Sequence, residues 1–269
     1  MRYPAVAGMF YSDDEEGLLR EVERCFLSSL GPGEIPDLRK GERRIRGAVC
    51  PHAGLAASGP VAAHLFHALA QDGFPEAFII IGPNHQGFGA AVSTTTQDFQ
   101  TPLGVARVDR DLQGRLEKWV DDEPFTHQNE HSLEVILPFI QYFSRDVPFV
   151  PLLMSLQDYE TARDLGAQIR EAIGDRDVLV IASSDFSHYV PQKEAEEKDG
   201  KVIERILNLD PEGVYETVVQ ERVSTCGYGP VMAMLEAVQG SQARLIRYGT
   251  SGDVMPSREV VGYAAIIVE

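Results

Sequence analysis

Val178-Leu179-Val180-Ile181-Ala182-Ser183-Ser184-Asp185-Phe186-Ser187-His188 decides how this chain folds. Five apolar residues stop abruptly at a polar stretch. The run is short for a helix and has no polar face, so it predicts a strand covered on both sides. The same design occurs twice upstream. Ile45-Arg46-Gly47-Ala48-Val49-Cys50 leads into Pro51-His52-Ala53-Gly54, and Ala77-Phe78-Ile79-Ile80-Ile81 leads into Gly82-Pro83-Asn84-His85. Helical patterns separate such strands, and strands alternating with helices form a sheet with helices on both faces. Two late strands, 243–248 and 259–268, are expected to pair antiparallel. The prediction is therefore an α/β fold: a three-layer α/β/α domain with a central mixed, largely parallel sheet. Ligands of open α/β sheets collect beyond the carboxyl ends of the strands. His52, His85, Asp185 and His188 all fall there, which directs them to one pocket.

Working outward, Ser12 is expected to cap a helix reaching about Leu30, with Asp13, Asp14 and Glu15 in its first turn. Residues 31–44 read as a loop, and a helix is expected from about Pro60 to Gln71. Residues 86–104, rich in Gly, Thr and Gln, are expected to run over the pocket. Val105–Val108 reads as a strand and Asp109–Trp119 as a helix. No repeat or linker interrupts the pattern, so residues 1–269 are expected to form a single domain.

The 24 Lys and Arg against 41 Asp and Glu give a formal charge of −17. A surface so acidic argues against nucleic acid, which needs cations for its phosphates, and against anionic membranes. Three widely spaced cysteines (Cys25, Cys50, Cys226) imply no disulfide framework. No apolar h-region follows Met1, and no apolar stretch reaches the roughly 20 residues of a membrane helix. A cytoplasmic location is expected.

The histidines carry the chemistry. His52 and His85 each sit beside Gly or Pro at a strand end, so a tight backbone can fix each ring; a pair of surface or capping histidines is the plainer alternative. Asp185 and His188 lie three residues apart, and a carboxylate can orient an imidazole and raise its basicity. The alternative is a capping Asp with a solvated His. Cys226, in Ser224-Thr225-Cys226-Gly227, precedes a helix whose N-terminus would favour thiolate, a good ligand for soft metals. On its own it reads as a buried turn cysteine. His127-Gln128-Asn129-Glu130-His131 matches the inverted zinc-protease pattern, but Pro124 and the polar run make it a loop entering a helix rather than a zinc helix. His64 and His67 read as structural. Neither a G-x-S-x-G elbow nor a P-loop occurs.

Taken together, Arg2-Tyr3-Pro4-Ala5-Val6-Ala7-Gly8-Met9-Phe10-Tyr11, Pro51-His52-Ala53-Gly54, Gly82-Pro83-Asn84-His85, Glu130-His131-Ser132, Ser184-Asp185-Phe186-Ser187-His188 and Thr225-Cys226-Gly227 resemble the Memo family over essentially the whole chain. The resemblance implies a fold shared with the class III extradiol dioxygenases, non-haem iron enzymes that open catechol rings. It implies His52, His85 and Cys226 as metal ligands, with Fe(II) first and Cu or Zn as alternatives. It implies Asp185 and His188 as catalytic residues of the same pocket, His188 as a base, with Glu130 and His131 beside them on the substrate. It also implies, as partners, an unidentified small molecule or peptide and a radical-SAM system protein. The dioxygenases use two histidines and a carboxylate, whereas the third position here is a cysteine.

Three readings follow from the sequence. The first is a metal-binding redox protein, of iron or copper, with a dioxygenase-like pocket. The second is a metal-free hydrolase with Cys226 as nucleophile, His188 as base and Asp185 as orienter. The third is a non-enzymatic binding or signalling module, for which Arg43, Arg44 and Arg46 form the only obvious basic cluster.

Overall fold

The computed structural model describes residues 1–116 and 118–269. Among the described residues eleven strands occur in the order β1 Gly47–Cys50, β2 Ala77–Pro83, β3 Val92–Thr94, β4 Phe99–Thr101, β5 Gly104–Ala106, β6 Asp121–Asp122, β7 Phe149–Met154, β8 Val178–Ser183, β9 His188–Val190, β10 Ala243–Thr250 and β11 Val260–Val268. The main sheet has the order β10-β11-β1-β8-β2-β7-β3-β6, with β9 also paired to β11. Its centre, β1-β8-β2-β7, is parallel throughout. Antiparallel pairs flank it: β1–β11 and β10–β11 on one side, β7–β3 on the other.

The sheet is thus mixed, as expected, with its parallel pairs in the central four strands and again at the β3–β6 margin. The second antiparallel junction comes from the 86–104 excursion, whose middle residues enter the sheet as β3 instead of only crossing the pocket. The next residues form a separate hairpin, β4–β5, whose second strand is the one expected at 105–108, placed at Gly104–Ala106.

Side-chain alternation along the central strands builds both faces. Phe78, Ile80, Leu179, Ile181 and Ile267 point to one core, with helices Glu15–Leu27 and Leu55–Asp72. Ile79, Ile81, Val180, Ala182 and Ile266 point to the other, with helices Tyr159–Ile173, Gln192–Leu207 and Tyr228–Val238. This two-residue period is what a strand dictates when both faces are packed.

Helix ends differ from expectation for local reasons. Asp14, not Ser12, caps the first helix: its carboxylate accepts the Gly17 N–H at 2.8 Å, and Ser12 Oγ donates to Asp14 instead. That helix ends at Leu27, three residues early. The next begins at Leu55 rather than Pro60, because the Leu55 N–H is taken by the Phe10 carbonyl at 2.8 Å and the chain turns helical directly after the His52 loop. The helix expected at 109–119 spans Arg110–Leu116; its expected continuation through Glu117 lies outside the described residues. Among the described residues no helix is long and apolar enough to cross a membrane.

Ile181 is fully buried between parallel neighbours on the central strand. Ile181→Ala is expected to cost about 2–5 kcal/mol and Ile181→Val about 0.5–1.5 kcal/mol, read by urea unfolding. Equal midpoints for both variants and wild type would contradict this packing.

Candidate metal centre

The three central strands β1, β2 and β8 release their chains at one end of the sheet, and the candidate ligands follow at once. His52 lies two residues beyond β1 and His85 two beyond β2. Cys226 arrives from the other direction, in the turn before helix Tyr228–Val238, where its backbone N–H donates to the Asp185 carbonyl at 3.2 Å. One donor atom from each of His52, His85 and Cys226 falls within 4.8 Å of the others.

Each imidazole is fixed by a different device. Ser183 Oγ donates its single hydrogen to the Ser132 carbonyl at 2.6 Å, so toward His52 Nδ1, 2.7 Å away, it can only accept. His52 therefore carries its proton on Nδ1, and its Nε2 lone pair faces Cys226 Sγ at 3.3 Å. His85 Nδ1 donates to Glu130 Oε1 at 2.9 Å, which again leaves Nε2 open. A carboxylate or hydroxyl behind a ligating imidazole sets its tautomer and orientation. Burial and the neighbouring imidazoles hold the His52 pKa well below its usual value, so the ring is neutral and can ligate.

The donor set fits a metal ion. Tetrahedral coordination with M–S near 2.3 Å and M–N near 2.05 Å places sulfur and nitrogen about 3.5 Å apart. The Cys226 Sγ–His52 Nε2 separation of 3.3 Å agrees. Without a metal the same distance suits a thiol donating to Nε2. His85 is the most open of the three, with its side chain 31% exposed while His52 is 2% exposed. His85, Glu130 and His131 form a second set of close donors. Glu130, however, already accepts four N–H groups: His85 N and Nδ1, His131 N and Ser132 N. Its carboxylate, turned away from solvent, thereby supports His85.

His131 lies beside the candidate donors. Its ring stacks on His85 at 4.7 Å and meets Phe10 edge-on at 5.0 Å. Asp185 and His188 are not hydrogen-bonded to each other as their spacing led one to expect. The Asp185 carboxylate accepts the His52 backbone N–H at 2.9 Å, and its backbone N–H points to Cys226 Sγ at 3.2 Å. Asp185 therefore ties two ligand loops together, and burial pushes its pKa up to about 6. His188 is oriented instead by Ser224: Nδ1 donates to the Ser224 carbonyl at 2.8 Å, leaving Nε2 free to accept a proton.

The Cys226 thiol also departs from expectation. A helix N-terminus favours thiolate, but this cysteine is half-buried beside Asp185, and desolvation drives its pKa up. Desolvation outweighs a dipole that fades within the first turn. His127 does not join His131 as a zinc pair. It is buried, with both ring nitrogens lacking a hydrogen-bond partner among the described residues, and burial lowers its pKa to about 3.

The sequence carries no signal for the roles of Ser183 and Ser224. Ser183 stands at the head of the Ser183–His188 stretch, where attention falls on Asp185 and His188; only the spatial relay to Ser132 shows its role.

An α/β sheet with two imidazoles and a thiol gathered beyond its parallel strands defines a protein with a His₂Cys donor pocket. The family model for Memo-like protein matches residues 2–267, and the chain belongs to that family. MEMO1 family proteins of Methanopyrus kandleri and Methanothermobacter thermautotrophicus are 46% and 44% identical to it, over 99% and 98% of this chain and 98% and 99% of their own. In fold it is similar to the crystal structure of an uncharacterized protein from Escherichia coli K12, with a TM-score of 0.57, 14% identity, and coverage of 84% of this chain and 100% of that one.

Two outcomes test this geometry. Burial opposes a charge on Glu130, but hydrogen bonds from His85 and the Ser132 N–H outweigh it and bring its pKa down to about 2. A folded pKa below the ordinary 4.5 means the carboxylate stabilises the fold above that value and loses the effect as pH falls toward 2. Glu130→Gln should therefore flatten the loss of stability between these limits in an acid titration. Separately, a Cβ at Gly227 would meet the Ser183 carbonyl oxygen at 2.3 Å and Ser184 Cβ at 2.7 Å. Gly227→Ala is expected to cost about 1–3 kcal/mol by chemical denaturation.

Proposed function

We propose that this chain is a metal-binding redox protein of the non-haem iron or copper type, with a dioxygenase-like pocket that takes a small organic molecule. The convergence of His52, His85 and Cys226, each imidazole with its Nδ1 proton already committed elsewhere, carries this reading. Fe(II) is the first choice of metal, with Cu and Zn as alternatives. Thiolate in place of the dioxygenase carboxylate softens the site and moves its preference toward Cu(I) or Zn. When bound, such a metal supplies a Lewis-acidic and, for iron or copper, redox-active centre.

The chain's own residues have separate tasks. Ser183 and Glu130 orient the two ligating rings. Asp185 holds the His52 loop against Cys226. His188, half-buried with Nε2 free, is the group placed to take a proton from a substrate. His131 and Phe10 offer ring faces to a bound molecule. The hydrolase reading is weaker, because a thiol raised by burial is a poor nucleophile and its nearest imidazole is His52, not His188.

Anaerobic titration with Fe(II), Cu(I) and Zn(II), beside Cys226→Ser and His52→Ala, tests the proposal. At least one metal should bind stoichiometrically to wild type and lose about tenfold or more in affinity in each variant. Equal binding in all three proteins would refute a His₂Cys site.

A further inference from the structure

One buried polar cluster has no part in the chemistry above. Arg2 and Glu134 pair with both side chains wholly shielded from solvent. Glu134 also accepts the Ala5 N–H at 2.8 Å, the Val6 N–H at 3.1 Å and the Tyr11 hydroxyl. The Arg2 guanidinium makes two further hydrogen bonds. Nε donates to the His127 carbonyl at 2.9 Å and Nη2 to the Glu130 carbonyl at 2.5 Å. The far end of the same arm reaches the other ligand loop, where the Phe10 carbonyl accepts the Leu55 N–H.

We propose that the N-terminal arm, residues 2–11, is a positioning element for the donor site, and that Arg2 is its positioning residue. The guanidinium spans the 127–130 turn and fixes the backbone of Glu130, whose carboxylate holds His85 through its ring and its backbone N–H. A planar fork can serve Glu134 and two carbonyls at once; an ammonium cannot cover the same three directions. The arm thereby couples the loop that carries His52 to the loop that supports His85. The effect on metal affinity rests on the metal-site reading; the effect on the His85 ring does not.

The test reads histidine ring nitrogens by NMR in the metal-free protein. Wild type should show His85 in one form, protonated at Nδ1. Arg2→Met, which removes all three donors, should turn His85 into a mixture of tautomers while His188, held separately by Ser224, is unchanged. His85 unchanged in the variant would overturn the proposal, and so would an equal disturbance of His188, which would mean general loosening. If Arg2→Met does not fold, Arg2→Lys, which retains the charge opposite Glu134, is read in the same way. Co(II) titration then gives the consequence for binding: Arg2→Met should lose about tenfold or more in affinity, the scale of outer-shell changes. Wild type failing to bind Co(II) would count against the metal reading, while the tautomer result would still decide the role of the arm.

Discussion

Glu130 keeps a negative charge in a place that water hardly reaches, and much of the site is arranged around that fact. An ionised carboxylate away from water is tolerated only where donors gather on it. Here they come from both sides: the ring and backbone of His85, and the backbone of His131 and Ser132. Satisfying one charge therefore fixes the loop after β2, the turn before the Glu134–Ile136 segment, and the tautomer of one imidazole. His52 reaches the same state through neutral groups, a serine hydroxyl passing its proton to a carbonyl. The two rings are consequently not equivalent donors. A carboxylate stands behind His85, and a neutral hydroxyl behind His52.

The thiol completes the set by a third route. Neither a cation nor a helix dipole lowers its pKa; the backbone of Asp185 and the open nitrogen of His52 surround it instead. The Asp185 carboxylate meanwhile accepts the His52 N–H. Residue 185 thus acts with its backbone on one ligand and its side chain on another, which explains an acidic residue buried where no cation is paired with it.

The sequence makes the central strands plain because their physics is local. Val178–Ala182 is apolar on both faces and is followed by a polar step, and the observed strand runs one residue further, to Ser183. The positions of His52 and His85 follow from the same rule. The antiparallel entry of β3 is not legible, since three residues between Ala91 and Thr95 carry no clear period. The partner of each functional side chain is also hidden. Asp185 and His188 are close in sequence yet turn to different neighbours, while Arg2 and Glu134 are 132 residues apart and meet in the interior. Glu134 stands among Leu133, Val135 and Ile136, where a lone acid reads as a solvated face. Its burial depends on an arm folded back from the far end of the chain. Cys226 joins the histidines only through tertiary structure, and from the sequence it is reached only through family resemblance.

The outer strands bear on how the molecule behaves in company. An open sheet presents unpaired backbone at both margins, a template for joining another chain. At one margin stands β6, only two residues long and both of them aspartate. At the other stands β10, whose register with β11 breaks between Leu245 and Arg247 and which carries Arg244 and Arg247 outward. The shortness of β6 and the register break in β10 each limit extension by a further strand. The apolar centre of parallel strands therefore lies between two margins that offer little regular backbone to a further strand.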